Sequence, residues 1–173
     1  AYQGACATVI ERLEGHIAQY LGDGLLVYFG YPQAHEDDAQ RAIHAGLDML
    51  AALADLNRRL GQSYDVRLHT RVGIHTGLVV VGEAGGGPQH GQLALGVTPN
   101  IAAKIQAMAT PESVVISAAT YRLVQGYFVC QDLGEYTLPG VATPIALYQV
   151  LHASDARGRL EAAARWGFTP LVG

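Results

Sequence analysis

The stretch from residue 19 to residue 30 constrains the fold of this chain more than any other part of its sequence. Two apolar runs flank Gly22-Asp23-Gly24, and Asp23 is the only charged residue in the stretch. An Asp-Gly pair in this setting predicts a β-hairpin with a type I′ turn, whose two central residues both have a positive φ. Residues 25–29 are continuously apolar, which is typical of a strand covered on both faces. Asp23 then has two interpretations: it serves the turn alone, or the rigid turn holds its carboxylate for a hard cation.

Helical patterns lie on both sides of this hairpin. Apolar residues at helical spacing predict a first helix over residues 2–13, ended by Glu14-Gly15 with Gly15 as a left-handed cap. A second helix follows the acidic triplet Glu36-Asp37-Asp38 and continues to about Leu60. The triplet has two interpretations, a metal cluster or acidic side chains that complement the helix dipole, and its place in a first helical turn favours the dipole.

The middle of the chain combines a strand pattern with a helix start. Residues 66–74 alternate between apolar and polar positions, which predicts a single strand with Arg71 on its polar face. Thr98 and Pro99 predict the N-cap and the first residue of a third helix. The buried stripe of that helix leaves Asn100 and Lys104, four residues apart, together on another face.

A glycine-rich loop, residues 83–91, separates two apolar runs that predict a second hairpin, residues 78–81 and 92–95. The loop is either phosphate-binding or a mobile connection, and its lack of P-loop spacing favours the connection. Hairpins alternate with helices along the chain, which predicts an α+β fold of the ferredoxin-like kind rather than a doubly wound parallel sheet. Further strands are predicted over residues 113–116, 127–131 and 145–151, with a short helix capped by Ser117 between the first two.

Composition excludes several function classes. The net charge of −4 and the absence of a long basic run exclude a general nucleic-acid-binding surface. No apolar run approaches the ~20 residues that span a bilayer, and no signal peptide is present, so no membrane partner is expected. Cys6 and Cys130 lack metal-ligand spacing and predict reduced core cysteines of an intracellular, cytoplasmic protein.

Four ordered stretches make this sequence similar to the class III nucleotidyl cyclase catalytic domain. The match runs from about Tyr2 to Leu151. Residues 18–32 resemble a hairpin that bears a metal aspartate, and residues 36–42 resemble the helix after it. The family's central strand is matched by Arg71-Val72-Gly73-Ile74-His75-Thr76-Gly77. Residues 96–104 resemble the signature Gly-x-x-x-Asn-x-Ala-x-Arg.

The resemblance implies a domain organisation. It implies a mixed, mainly antiparallel sheet with packed helices, in which the family's N-terminal strand precedes residue 1. Residues 1–151 then form the cyclase domain, and residues 152–173 resemble the linker to a P-loop ATPase module of multidomain bacterial proteins. We therefore expect the chain to be part of a longer protein.

The resemblance also implies an activity. Family members convert a nucleoside triphosphate to a 3′,5′-cyclic nucleotide and pyrophosphate at a homodimer interface, with two Mg²⁺ or Mn²⁺ ions held by two aspartates. Asp23 matches the second metal aspartate, and the first lies on the strand before residue 1. Arg71 matches a residue that contacts phosphate, and Asn100 matches the residue that orients the ribose from the other protomer. ATP is the expected substrate, with adenylate cyclase activity in intracellular signalling.

Four positions depart from the family pattern. Gln19 replaces a purine-reading lysine, and Leu93 replaces an adenine-reading aspartate, so GTP stays open as a substrate. Lys104 replaces the arginine that stabilises transition-state charge, and Pro139 replaces a phosphate-contacting lysine. Losing one transition-state donor can cost ~3 kcal/mol. The alternative hypothesis is therefore a catalytically degenerate cyclase-homology domain that dimerises or senses nucleotide.

Overall fold

The backbone forms four helices and eight strands over the residues that the computed structural model describes, which are 2–62, 64–83 and 92–155. Helices and hairpins alternate along the chain, so the predicted α+β class is confirmed. The elements are α1 Tyr2–Arg12, β1 His16–Leu21, β2 Gly24–Tyr28, α2 Asp38–Leu60, β3 Arg71–Ile74, β4 Val80–Glu83, β5 Gln92–Leu95, α3 Val97–Met108, β6 Ser113–Ser117, α4 Ala118–Val124, β7 Phe128–Tyr136 and β8 Ile145–Ala153.

A mixed four-stranded sheet lies at the centre, in the order β3-β6-β8-β7. Strands β3 and β6 are parallel, with Arg71 opposite Ser113, whereas β8 is antiparallel to both of its neighbours. Within the described residues, β1 with β2 and β4 with β5 form separate antiparallel hairpins. The predicted mixed, mainly antiparallel arrangement is therefore confirmed.

The central sheet is covered on both faces because successive residues of a strand point in opposite directions. Val114 and Ile116 of β6 pack with Ile43 of α2 in one buried cluster. Val115, between them, packs with Ile105 of α3 in a second cluster. Helix α1 lies on α2. The result is a layered domain in which α3, among the described helices, is the one that packs on the second face of the sheet.

The hairpin between β1 and β2 is confirmed, but its turn differs from the prediction. Gly22 has a φ of 63°, and no positive φ occurs at Asp23 or Gly24. A positive φ at the first central residue alone is the pattern of a type II′ turn, so the predicted type I′ geometry is wrong. In strand β2 only the last residue, Tyr28, is buried, and the four residues before it are half-buried. The prediction of a strand covered on both faces is therefore also wrong.

The strand predicted over residues 66–74 is shorter in the structure, where β3 begins at Arg71. The side chain of Asn57, near the end of α2, accounts for the difference. Asn57 Nδ2 donates to the Leu68 carbonyl at 2.8 Å, and the Leu68 N–H donates to Asn57 Oδ1 at 2.9 Å. These two bonds occupy the backbone groups with which Leu68 would pair in a strand.

Two of the predicted helix caps are wrong, and one is confirmed. Helix α3 begins at Val97 with Gly96 as N-cap, because Thr98 Oγ1 donates to the Leu78 carbonyl at 2.7 Å instead of capping the helix. After α1, Glu14 and not Gly15 takes the left-handed conformation, with a φ of 61°. Ser117 caps α4 as predicted, since its Oγ accepts from the Thr120 N–H.

The predicted linker lies almost entirely outside the described residues. Strand β8 continues to Ala153, two residues past the predicted end at Leu151, and the described part ends at Asp155. Residues 84–91 of the glycine-rich loop also lie outside it, although β4 and β5 form the predicted hairpin at its ends. None of the described helices is long and apolar enough to cross a membrane.

Candidate functional site

The first group of predicted site residues lies around the start of α1. Asp23 is exposed at the hairpin turn, where Gln3 Nε2 donates to the neighbouring Gly22 carbonyl at 3.1 Å. The adjacent Tyr2 hydroxyl contacts Thr70 Oγ1 at 2.5 Å, just before Arg71. Burial raises the pKa of Tyr2, and the negative charge of Asp23 raises it further. The start of α1 therefore lies between Asp23 and the first residue of β3.

Asp23 and Arg71 are available to a charged ligand. Both side chains are exposed, and among the described residues neither forms a hydrogen bond or an ion pair. Sequence reasoning did not assign a role to Tyr2, and its position at a helix start carries no motif that would have indicated one.

The second group lies on α3. Asn100 is exposed in the first turn, and Lys104 is half-buried one turn later. A hydrogen bond joins the Lys104 ammonium to the Pro139 carbonyl in the connection between β7 and β8. The structure thus brings together Lys104 and Pro139, two positions where the sequence departs from the cyclase pattern.

The two groups lie apart within one chain because α3 runs antiparallel to β3. A Cβ on Gly73 would lie 2.6 Å from the Ala102 carbonyl oxygen and 2.3 Å from the Gln106 nitrogen, so Gly73 is level with the middle of α3. Asn100 lies about one helical turn, or about 6 Å, from that level in one direction. Arg71 lies two strand residues, or about 7 Å, in the other. Asn100 and Arg71 are therefore separated by about 13 Å along the shared axis of α3 and β3.

The predicted base-reading positions lie on two neighbouring hairpins. Gln19 is exposed on β1, next to a register shift in its pairing with β2. Leu93 pairs through its backbone with Gly82 in the β4–β5 hairpin, and β5 contacts β1. Strand β5 leads directly into α3 through Gly96, so these strands adjoin the group formed by Asn100 and Lys104.

Large apolar side chains are exposed beside this second group. Leu78 is 94% exposed in the loop after β3, and its carbonyl accepts from Thr98 at the start of α3. Val80 and Val97 are also exposed. Apolar side chains concentrated in one region are typical of a surface that a partner covers.

The acidic triplet before α2 is accounted for by contacts within the protein. Asp38 lies in the first turn of α2 and accepts from the His35 N–H at 2.6 Å. Asp37 accepts from Arg41 at 2.8 Å, and this bond lowers the pKa of Asp37. Two of the three carboxylates are therefore engaged locally, which agrees with the non-metal interpretation.

Asp23 fits one part of a divalent-metal site. Its carboxylate is a hard oxygen ligand, exposed and free of competing ion pairs within the described part of the chain. No group of three histidine, cysteine, aspartate or glutamate side chains in that part is arranged to hold a metal. Asp23 can therefore contribute to a shared site, but it does not form a complete one.

A buried polar network supports the loop after β3, and sequence reasoning missed it. His75 Nδ1 lies 2.7 Å from Ser117 Oγ, and Thr76 Oγ1 lies 2.8 Å from Thr120 Oγ1. Ser117 and Thr120 are fully buried, and burial lowers the pKa of His75. The network joins the ends of β3 and β6 behind the loop that carries Leu78.

Solved structures identify the class of this fold as that of nucleotide cyclases. The guanylyl cyclase Cya2 matches with a TM-score of 0.83 and 30% identity, over 90% of this chain and 79% of that chain. The adenylyl cyclase CyaB from P. aeruginosa matches with a TM-score of 0.83 and 25% identity, over 88% of this chain and 80% of that chain. The ferredoxin-like cyclase fold expected from the sequence is therefore confirmed.

The family model described as "Adenylate and Guanylate cyclase catalytic domain" matches residues 8–152, so the chain belongs to this family. Adenylate cyclase 1 of Rhizobium meliloti is 28% identical over 156 residues, which are 89% of this chain and 24% of that protein. Cytidylate cyclase of Escherichia coli is 30% identical over 147 residues, which are 79% of this chain and 31% of that protein. An uncharacterised protein of R. meliloti is 30% identical over 172 residues, 99% of this chain and 16% of that protein. The chain thus spans less than a third of these relatives.

Proposed function

We propose that this domain is an adenylate cyclase that forms 3′,5′-cyclic AMP and pyrophosphate from ATP at a site shared by two protomers. The observation that carries the proposal is the division of the predicted residues into two groups at different places in the fold. Asp23 and Arg71 flank the start of α1, whereas Asn100 lies about 13 Å from Arg71 along the axis of α3, and Lys104 lies one helical turn nearer. Each group alone is an incomplete site for a nucleoside triphosphate.

A two-fold dimer would complete the site twice. In such a dimer the same surface of each protomer faces the other, so Asp23 and Arg71 of one chain can meet Asn100 and Lys104 of its partner. The exposed apolar residues beside α3, of which Leu78 is the most exposed, support a covered face at this place. The two groups then surround one nucleotide from opposite sides.

Each group has a role in the proposed reaction, in which the ribose 3′-oxygen attacks the α-phosphorus and pyrophosphate leaves. Asn100 orients the ribose, so that attack within one bound molecule needs little further loss of entropy. Arg71 binds phosphate oxygens, and Lys104 offsets negative charge as a point donor without a guanidinium fork. Asp23 would hold Mg²⁺ or Mn²⁺, and two such ions supply activation of the hydroxyl and neutralisation of phosphate charge.

Base selection rests on Gln19 and the position of Leu93. An amide offers both a donor and an acceptor, whereas a leucine side chain offers neither. Support for ATP comes from adenylate cyclase 1 and CyaB, but the relatives also include proteins named guanylyl and cytidylate cyclase. Rates with ATP, GTP and CTP at equal concentrations therefore test this part of the proposal. A preference for GTP or CTP would refute adenylate specificity and leave cyclisation intact.

The metal role of Asp23 is tested with the full-length protein that contains this domain, assayed for cyclic nucleotide with Mn²⁺ or Mg²⁺. Asp23→Asn keeps the size of the side chain and removes its charge, so we expect a loss of about 100-fold or more in kcat/KM. Asp48→Asn is the matched control. Asp48 lies on α2 and forms an ion pair with Arg12 at the end of α1, away from both groups of predicted site residues. Equal activity in the two variants would refute the role of Asp23.

The shared site is tested by mixing two inactive variants. Asp23→Asn and Asn100→Ala each damage a different half, so a mixed dimer regains one intact site out of two. With free exchange of subunits, half of the dimers are mixed, and we expect about a quarter of the wild-type activity. If the mixture stays as inactive as the separate variants while co-purification of a tagged with an untagged subunit shows mixed dimers, the site is not shared.

A second candidate function is a degenerate cyclase domain that binds nucleotide without turnover. The engagement of the Lys104 ammonium by the Pro139 carbonyl favours this alternative. Calorimetry with a non-hydrolysable ATP analogue, with and without Mg²⁺, separates the two. Tight binding that is independent of metal, together with no cyclic product, would support the degenerate module.

The domain organisation belongs to the same proposal. Residues 1–151 would form the cyclase domain, and residues 152–173 would lead to a P-loop ATPase module in the cytoplasm, where ATP and Mg²⁺ are abundant. The greater length of the relatives is compatible with further domains. The sequence that follows residue 173 in the full-length protein tests this directly, since a Gly-x-x-x-x-Gly-Lys-Ser/Thr motif is expected there.

A further inference from the structure

Lys104 is the only lysine in the 173-residue chain. It is half-buried on α3, and its ammonium donates to the carbonyl oxygen of Pro139. Among the described residues no carboxylate lies within ion-pair distance of it. Within the described residues, a single backbone carbonyl therefore holds the ammonium of this lysine and leaves its positive charge uncompensated.

The turn that presents this carbonyl is firmly attached to the core. The Val141 N–H donates to the Leu138 carbonyl at 3.0 Å, which closes a turn over residues 138–141. Leu138 is only 1% exposed and packs in the cluster of Ile105 on α3. Gly140 has a φ of 76°, and a Cβ at this position would lie 3.3 Å from Lys104 Nζ. The turn thus fits closely around the ammonium.

An ammonium group has three N–H donors, and the Pro139 carbonyl needs only one of them. The other two are left for an external acceptor. Asn100 lies one helical turn before Lys104, so both polar groups lie on the same side of α3. Fixing a long side chain before a ligand arrives removes part of the entropy loss of binding, worth a factor of up to about 10 in affinity.

We propose that residues 138–141 form a positioning element that fixes the Lys104 ammonium beside Asn100 for the phosphate groups of a nucleotide. Pro139 and Gly140 act through Lys104 and do not contact the substrate themselves. The inference rests on the proposed function for the identity of the ligand, but its own evidence is the contact between Lys104 and Pro139.

The first test is geometric and needs no variant. Lysine labelling confined to residues 1–173 of the full-length protein, by segmental ligation, gives the signal of one side chain, that of Lys104. We expect nuclear Overhauser contacts between the Lys104 ε-methylene and the Gly140 α-protons, and a shift of the lysine signal on addition of inorganic triphosphate. Absence of the contacts to Gly140, or no response to triphosphate, would overturn the proposal.

The second test is a double-mutant cycle read as triphosphate affinity. Gly140→Ala places a methyl group against Nζ, so we expect affinity to fall threefold to tenfold. Gly134→Ala is the matched control: Gly134 also has a positive φ, of 85°, but a Cβ there meets nothing within 4 Å. In a Lys104→Met background, Gly140→Ala should have no further effect.

The outcomes separate this inference from the proposed function. If Gly140→Ala weakens binding equally with and without Lys104, or if Gly134→Ala weakens it equally, the turn acts only through the fold and the inference is wrong. If the cycle behaves as expected but no cyclic nucleotide is formed, the positioning role stands and the proposed enzyme activity fails. If cyclic nucleotide is formed but the effects of Gly140→Ala and Lys104→Met on affinity simply add, the proposed enzyme activity stands and the positioning role fails.

Discussion

Replacement of Gly73 by alanine should be among the most damaging single changes in this domain. Gly73 lies in the middle of β3, where the backbone of α3 crosses it. An added Cβ would lie 2.3 Å from the Gln106 nitrogen, 2.6 Å from the Ala102 oxygen and 2.8 Å from the Gln106 Cα. All three are backbone atoms, so no side chain can rotate away to make room.

The size of the effect follows from these distances. Ordinary contact begins at 3.4 Å, so the 2.3 Å approach requires α3 and β3 to separate by about 1 Å. Overpacking of a well-packed core costs about 1–3 kcal/mol, and a clash between two backbones belongs at the upper end. We therefore expect Gly73→Ala to lower the free energy of unfolding by about 3 kcal/mol. Because α3 carries Asn100 and Lys104, a shift of about 1 Å should also lower any cyclase activity about 100-fold.

Urea unfolding followed by circular dichroism measures the first effect. Gly4→Ala is the control, because Gly4 is exposed in α1 and a Cβ there meets nothing within 4 Å. The same substitution should stabilise that helix by up to about 1 kcal/mol. Gly73→Ala should therefore lower the free energy of unfolding, whereas Gly4→Ala should raise it. A Gly73→Ala protein within about 0.5 kcal/mol of wild type would refute the close approach of α3 to β3.

Three further predictions concern single side chains. Burial lowers the pKa of His75, so the unfolded chain binds a proton that the native protein does not, and stability should fall as the pH drops from 7.5 through about 6.5. His75→Gln should flatten that part of the profile in urea unfolding, and an unchanged profile would contradict the assignment. Burial raises the pKa of Cys130 from 9.0 to about 11, which lowers the fraction of reactive thiolate. In a Cys6→Ser background, the reaction of Cys130 with a thiol reagent at pH 8 should therefore be about 100-fold slower in the native than in the unfolded protein. Asn57→Ala removes both hydrogen bonds to the Leu68 backbone and should lower the free energy of unfolding, measured in urea, by about 2 kcal/mol; a variant as stable as wild type would contradict this role of Asn57.

Local patterns in the sequence predicted most of the elements of this fold. Apolar residues at helical spacing predicted α2, apolar runs on either side of turn residues predicted the two hairpins, and Ser117 marked the start of α4, because these signals depend on neighbouring residues only. Two of the misplaced boundaries, those of α3 and β3, have one cause in common. Thr98 bonds to Leu78 and Asn57 bonds to Leu68, so in each case a residue distant in sequence supplied the hydrogen bond.

The candidate site likewise has features that the local sequence specifies and features that depend on distant contacts. The sequence by itself determined which residue types are present: a carboxylate in a hairpin turn at Asp23, and an amide and an ammonium four residues apart at Asn100 and Lys104. Only the tertiary structure decided their arrangement. The antiparallel crossing of α3 over Gly73 separates the two groups, and the return of the chain between β7 and β8 brings the Pro139 carbonyl to Lys104. Such contacts join segments more than 30 residues apart, and no local pattern in a single sequence specifies them.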